Sequence, residues 1–95
     1  MNAYAYCEDR VRAADKDRFL ASLFAPAEAR PHLFALYAFN AEIARVREVV
    51  RTPMAGEIRL QWWRDALQGE GHGEVRANPV ADALIGTMAA CRLPV

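Results

Sequence analysis

Carboxylates that hold a divalent cation against a phosphate work best three or four residues apart on a helix, where they share one face. The chain has twelve acidic residues, yet none stand three apart and only Glu70 and Glu74 stand four apart. That pair falls in Gly69-Glu-Gly-His-Gly-Glu74, which reads as a flexible connection. The sequence therefore offers no helical carboxylate pair for magnesium. His72 in the same run suggests a metal loop, but one histidine between two glutamates falls short of the three or four spaced ligands of a zinc site. A solvated loop is the better account. His32 has no serine or cysteine beside it to make a nucleophile pair, and it reads as a surface or boundary side chain.

Arg59, Gln61, Trp62, Trp63 and Arg64 form a second cluster. Arginine recognises phosphate in a fork geometry, so an anion site is one reading. The preferred reading packs the tryptophans and lays Arg59 and Arg64 along apolar surface or into water. Cys7 and Cys91 are the only cysteines, and they fit neither a metal spacing nor a disulfide framework. Cys91 lies in an apolar helical pattern and is expected to be a small buried hydrophobe.

The elements that must position these residues are helices. No alternating strand pattern occurs, and proline sits only where helices start or stop. Five helices are expected. The first covers about residues 3–13, with Tyr4, Cys7 and Val11 on one stripe. The second covers about 17–24, capped by Asp15 or Asp17, with Phe19, Leu20, Leu23 and Phe24 as its apolar face. The third opens near Pro26 and runs to about Arg51, with a buried stripe of Leu36, Phe39, Ile43, Val46 and Val50 and a polar side of Glu42, Arg45 and Arg47. Thr52-Pro53 starts the fourth, which extends to about Gln68. Its stripes Gly56-Leu60-Trp63-Leu67 and Ile58-Trp62-Ala66 imply packing on two sides. Asn78-Pro79 starts the fifth, which runs to about Arg92. Pro94 reads as punctuation before a further helix, so the chain reads as interrupted.

Ninety-five residues make one small helical domain or the first part of a larger one. Charge sums to zero, with twelve basic and twelve acidic residues, and this argues against nucleic-acid binding. Met-Asn-Ala-Tyr4 does not resemble a secretory signal, and no apolar run is long enough to cross a bilayer. The expected location is cytoplasmic, or peripheral at a membrane.

Within the third helix, Tyr37, Ala41, Ala44 and Glu48 are spaced by four, three and four residues and so lie on one face. Together with Tyr6-Cys7, Phe24-Ala-Pro26 and Arg30, the blocks Phe34-Ala-Leu-Tyr-Ala-Phe39 and Gly56-Glu-Ile-Arg-Leu-Gln-Trp-Trp-Arg-Asp-Ala-Leu67 resemble the squalene/phytoene synthase family. The resemblance spans nearly the whole chain. It implies the all-helical isoprenoid-synthase fold, of which this chain would be the N-terminal helices. Active members join two prenyl diphosphates head to head, with magnesium bridging phosphate to aspartates on two helices.

Carried over to this sequence, the resemblance puts Tyr37, Ala41, Ala44, Glu48, Arg59 and Trp63 at the substrate cavity. Tyr37 matches a tyrosine near the diphosphate. Ala41 replaces an arginine, while Ala44 and Glu48 stand at the two metal aspartates. Glu48 is a remnant ligand, Arg45 brings the wrong charge to a position usually occupied by aspartate, and no catalytic residue is assigned. Asp15-Lys-Asp-Arg18 stands where a serine-rich element is expected, and the second aspartate motif would lie beyond residue 95.

Phe39-Asn-Ala-Glu-Ile-Ala-Arg-Val46, with Gly56 and Arg59-Leu-Gln-Trp-Trp-Arg64, resembles one branch more closely, the mitochondrial assembly factors of respiratory complex I. That implies a non-catalytic assembly or lipid-binding helper without a cofactor, with respiratory complex subunits as partners. The alternative is a magnesium-dependent prenyl transferase of terpenoid biosynthesis, acting on farnesyl or geranylgeranyl diphosphate through Glu48. The 95-residue chain alone is not expected to be active. As a piece of a larger fold, it would expose helix faces and associate with itself.

Overall fold

A computed structural model describes residues 2–49, 53–68 and 77–92. All regular structure among these residues is helical: α1 (Ala3–Ala14), α2 (Lys16–Ser22), α3 (Arg30–Val49), α4 (Pro53–Leu67) and α5 (Pro79–Cys91). The expected all-α architecture is observed. Val50, the cap at Thr52, the glycine-rich run 69–74 and Leu93-Pro94-Val95 lie outside the described residues.

Side-chain caps set three of the helix starts. The Asn2 side chain accepts from the Ala5 amide at 2.8 Å and starts α1. Asp15 serves two helices. Its amide donates to the Val11 carbonyl at 2.8 Å, ending α1, and its carboxylate accepts from the Arg18 amide at 3.1 Å, starting α2. Asn78 caps α5 by accepting from the Val80 and Ala81 amides at 3.1 and 3.2 Å, and Pro79 occupies the first turn where no amide is needed. Arg92 closes α5 in the left-handed conformation, φ 54°, with its amide on the Met88 carbonyl.

Helix α3 begins at Arg30, not near Pro26 as the sequence suggested. Pro26–Ala29 forms a separate turn, with the Ala29 and Arg30 amides on the Pro26 carbonyl at 2.9 and 3.2 Å. Pro31 lies in the first turn of α3 and has no amide to bond back to Ala27, so the helix does not run on unbroken from the Pro26 turn. The Arg30 guanidinium braces the junction by donating to the Ala25 carbonyl at 3.0 Å.

The core joins α1, α3 and α5, with Trp63 and Ala66 of α4 at its edge. Its members are mostly small: Cys7, Val11, Ala35, Ala38, Val80, Ala81 and Ala83, beside Phe34 and Leu84. Small side chains let helix backbones approach closely, and packing continuity then replaces bulk as the source of cohesion. Phe19 of α2 stacks on Phe34 at 5.8 Å, which fastens α2 to α3.

Three packing expectations need correction. The buried line of α3 runs through Phe34, Ala35, Ala38 and Val46, whereas Leu36 is exposed. The alanines face α1 because they admit its approach, and a leucine there would hold it off. Cys91 is exposed at the end of α5, one residue before the cap, and the fully buried cysteine is Cys7. Helix α4 buries its Trp63 side, but Ile58 and Trp62 of the second stripe are exposed; only Ala66 of that stripe is buried. Among the described residues, the main packing partners of α4 are α3 and α5.

Candidate functional site

Tyr37, Ala41, Ala44 and Glu48 share one face of α3, which packs against the core at its Tyr37 end and opens to solvent at Ala44 and Glu48. Tyr37 is half-buried, and the Arg18 guanidinium of α2 lies 5.1 Å over its ring. Ala41 is half-buried, while Ala44 and Glu48 are exposed. Arg59 is exposed on α4, and Trp63 is buried beneath it.

Two grooves lie between α3 and α4. The first, about 310 Å³, is lined by Glu42, Ile58, Arg59, Trp62, Trp63 and Asn78. The second, about 280 Å³, is lined by Phe39, Asn40, Ile43, Leu60, Trp63, Arg64 and Leu67 and is strongly apolar. Trp63 forms the wall between them, with Phe39 edge-on at 5.0 Å on one side and Trp62 perpendicular at 5.0 Å on the other. The structure thus brings Arg59 and Trp63 together, while Tyr37, Ala41, Ala44 and Glu48 border neither groove.

Glu42 is the residue that sequence reasoning passed over as part of a polar side. It is half-buried and meets Arg10 of α1 at 3.9 Å. Its register was legible, because Ala38, Glu42 and Val46 repeat every four residues along the buried line. Burial, with a smaller contribution from the Glu42 charge, pushes the Cys7 thiol up from 9.0 to about 11. Cys7 is therefore a protonated, unreactive thiol at neutral pH.

A polar junction between α1, α3 and α5 also escaped the sequence reading. His32 Nδ1 lies 2.9 Å from the hydroxyl of fully buried Thr87, and that hydroxyl donates to the Tyr4 Oη at 3.5 Å. The Tyr4 and His32 rings meet edge-on at 5.7 Å. The three side chains tie α1, α3 and α5 together, so His32 is a structural boundary residue.

The motif face does not fit a magnesium ion bridging to a diphosphate. Ala44 has no donor atom, Glu48 supplies one exposed carboxylate, and Arg45 stands exposed next to Ala44. Magnesium requires an octahedral set of oxygens. Among the described residues, no three His, Cys, Asp or Glu side chains gather to hold a metal ion.

The helical fold and the α3–α4 blocks define the class, and the chain belongs to the squalene/phytoene synthase family, whose model matches residues 11–95. Among its relatives, it is similar to the NADH dehydrogenase (ubiquinone) complex I assembly factor 6 of Bos taurus, 41% identical over 76 residues, covering 80% of this chain and 23% of that protein. The Homo sapiens assembly factor 6 is 40% identical over 63 residues, 66% of this chain and 19% of that protein. A Dictyostelium discoideum homolog of assembly factor 6 is 27% identical over 82 residues, 85% of this chain and 23% of that protein. The chain spans about a fifth of the length of the curated relatives it matches. No solved structure matches it.

Proposed function

We propose that this chain is the helical N-terminal region of an assembly-type factor for respiratory complex I, built on an isoprenoid-synthase-type scaffold that has given up diphosphate chemistry. The observation that carries this reading is the 41% identity over 76 residues to a protein named as a complex I assembly factor. The residue types on the motif face support it, since Ala41 and Ala44 remove an arginine and a metal ligand that the synthase reaction uses. The partners are then subunits of the complex, and the cofactor is none.

The factor works peripherally at a membrane. No helix among the described residues is long and apolar enough to cross one. The exposed Phe24, Met54 and Ile58 provide apolar surface for contact instead.

The test is removal of the gene followed by native-gel measurement of assembled complex I. A fall in the assembled complex, restored by the full-length protein and equally by its Glu48→Ala variant, is expected. Unchanged complex I overturns the proposal. Squalene or phytoene formed by the full-length protein from farnesyl or geranylgeranyl diphosphate with magnesium also overturns it, in favour of the prenyl transferase.

A further inference from the structure

The groove lined by Glu42, Arg59, Trp62 and Trp63 combines both signs of charge with two indole rings. Its volume of about 310 Å³ lies near the lower end for small-molecule sites, enough for a polar headgroup and too little for a long chain. Arg59 makes no ion pair among the described residues, so its fork of donors is free for an anion. Among the described residues, Glu42 pairs with Arg10 alone, in a stretched 3.9 Å contact. The Trp62 and Trp63 rings stand at 90° to each other beside it. Perpendicular aromatic walls with a carboxylate attract an organic cation.

The same lining selects among cations. A primary ammonium has three donors to satisfy. The Asn78 side-chain oxygen already accepts from two amides, so Glu42 is the one lining side chain with acceptor capacity to spare. A quaternary ammonium has no donors and needs only the rings and the charge. The zwitterion that places such a cation by Glu42 and an anion by Arg59 is phosphocholine.

Met54, Ile58 and Trp62 follow one another every four residues along α4, the last two forming the rim of the groove, and are 74%, 64% and 36% exposed. A soluble phosphocholine would leave this stripe bare, whereas a lipid would use it. We propose that this face of α4 docks on a phosphatidylcholine surface, with the headgroup in the groove and Met54, Ile58 and Trp62 in the apolar boundary of the bilayer. The inference extends the peripheral-membrane part of the proposed function by naming the lipid.

Flotation of the full-length protein with phosphatidylcholine and with phosphatidylglycerol vesicles tests it. Preferential binding to phosphatidylcholine is expected, reduced about tenfold in both Arg59→Gln and Trp62→Ala, as for loss of one charge-assisted or cation–π contact. Both side chains are exposed, and unchanged melting of the variants confirms that they fold. Soluble phosphocholine should compete. Equal or stronger binding to phosphatidylglycerol overturns the inference, as does wild-type affinity in both variants. If no vesicle is bound while gene removal still lowers complex I, the lipid inference fails and the assembly reading stands.

Discussion

Cys7 and Cys91 are the same residue type in similar apolar helical surroundings, yet their fates differ. Cys7 faces the small-residue seam between α1 and α3, where burial holds its thiol protonated to about pH 11. Cys91 faces out at the end of α5. A thiol reagent at neutral pH should label Cys91 quickly and leave Cys7 unreacted until the protein unfolds; mass spectrometry of the labelled peptides checks this. The raised Cys7 value also fixes a sign. The folded state holds this proton more tightly than the unfolded state does, so its contribution is full below about pH 9 and is lost as pH rises toward about 11. Thr87 carries a second prediction at this scale. Thr87→Val keeps the shape but removes the hydroxyl partner of His32 and Tyr4, and it should cost about 1–2 kcal/mol in denaturant unfolding.

At the scale of elements, α5 depends on its cap. Asn78→Ala leaves the Val80 and Ala81 amides without their side-chain acceptor and should cost about 1 kcal/mol, read as a lower denaturation midpoint at an unchanged m-value. On α3 the packing predicts a contrast. Ala38→Leu forces bulk into the seam with α1 and should cost about 1–3 kcal/mol. Leu36→Ala, at an exposed position, should change stability by only about 0.5 kcal/mol. The existence and order of all five helices were legible from capping residues, prolines and periodicity. Which stripe of α3 is buried was not, because hydrophobic patterning weights leucine above alanine while close helix packing rewards the smaller residue. The start of α3 was placed too early for a different reason: Pro26 suits a first turn, but it opens the separate Pro26–Ala29 turn, and Pro31 lacks the amide that would join that turn to α3.

Across the whole molecule, α1, α3 and α5 form the packed body, and α4 contributes one buried side. Phe24 at 92%, Met54 at 74% and Ile58 at 64% exposure are large apolar groups in water. The 95-residue segment in isolation should therefore associate with increasing concentration, as read by light scattering on size-exclusion chromatography, and a clean monomer would contradict that expectation. On the docking proposed above, the full-length protein directs its Met54–Ile58–Trp62 surface to the bilayer instead.

The sequence alone determined the helical class, the cap at Asn78, a cap at Asp15 or Asp17, and the family blocks around Tyr37 and Trp63. These are local properties, set by backbone chemistry and the spacing of a few neighbouring residues. It also showed that the carboxylate pair for magnesium is lacking, because donor types can be counted without a fold. Only the tertiary structure decided that Glu42 leaves its polar side to border a groove with Arg59 and two tryptophans, that His32 joins Thr87 from 55 residues away, and that Cys7 and not Cys91 is buried. Each of these depends on which helix faces come together, and that choice rests on the fit of small side chains across a seam that no single helix's periodicity encodes.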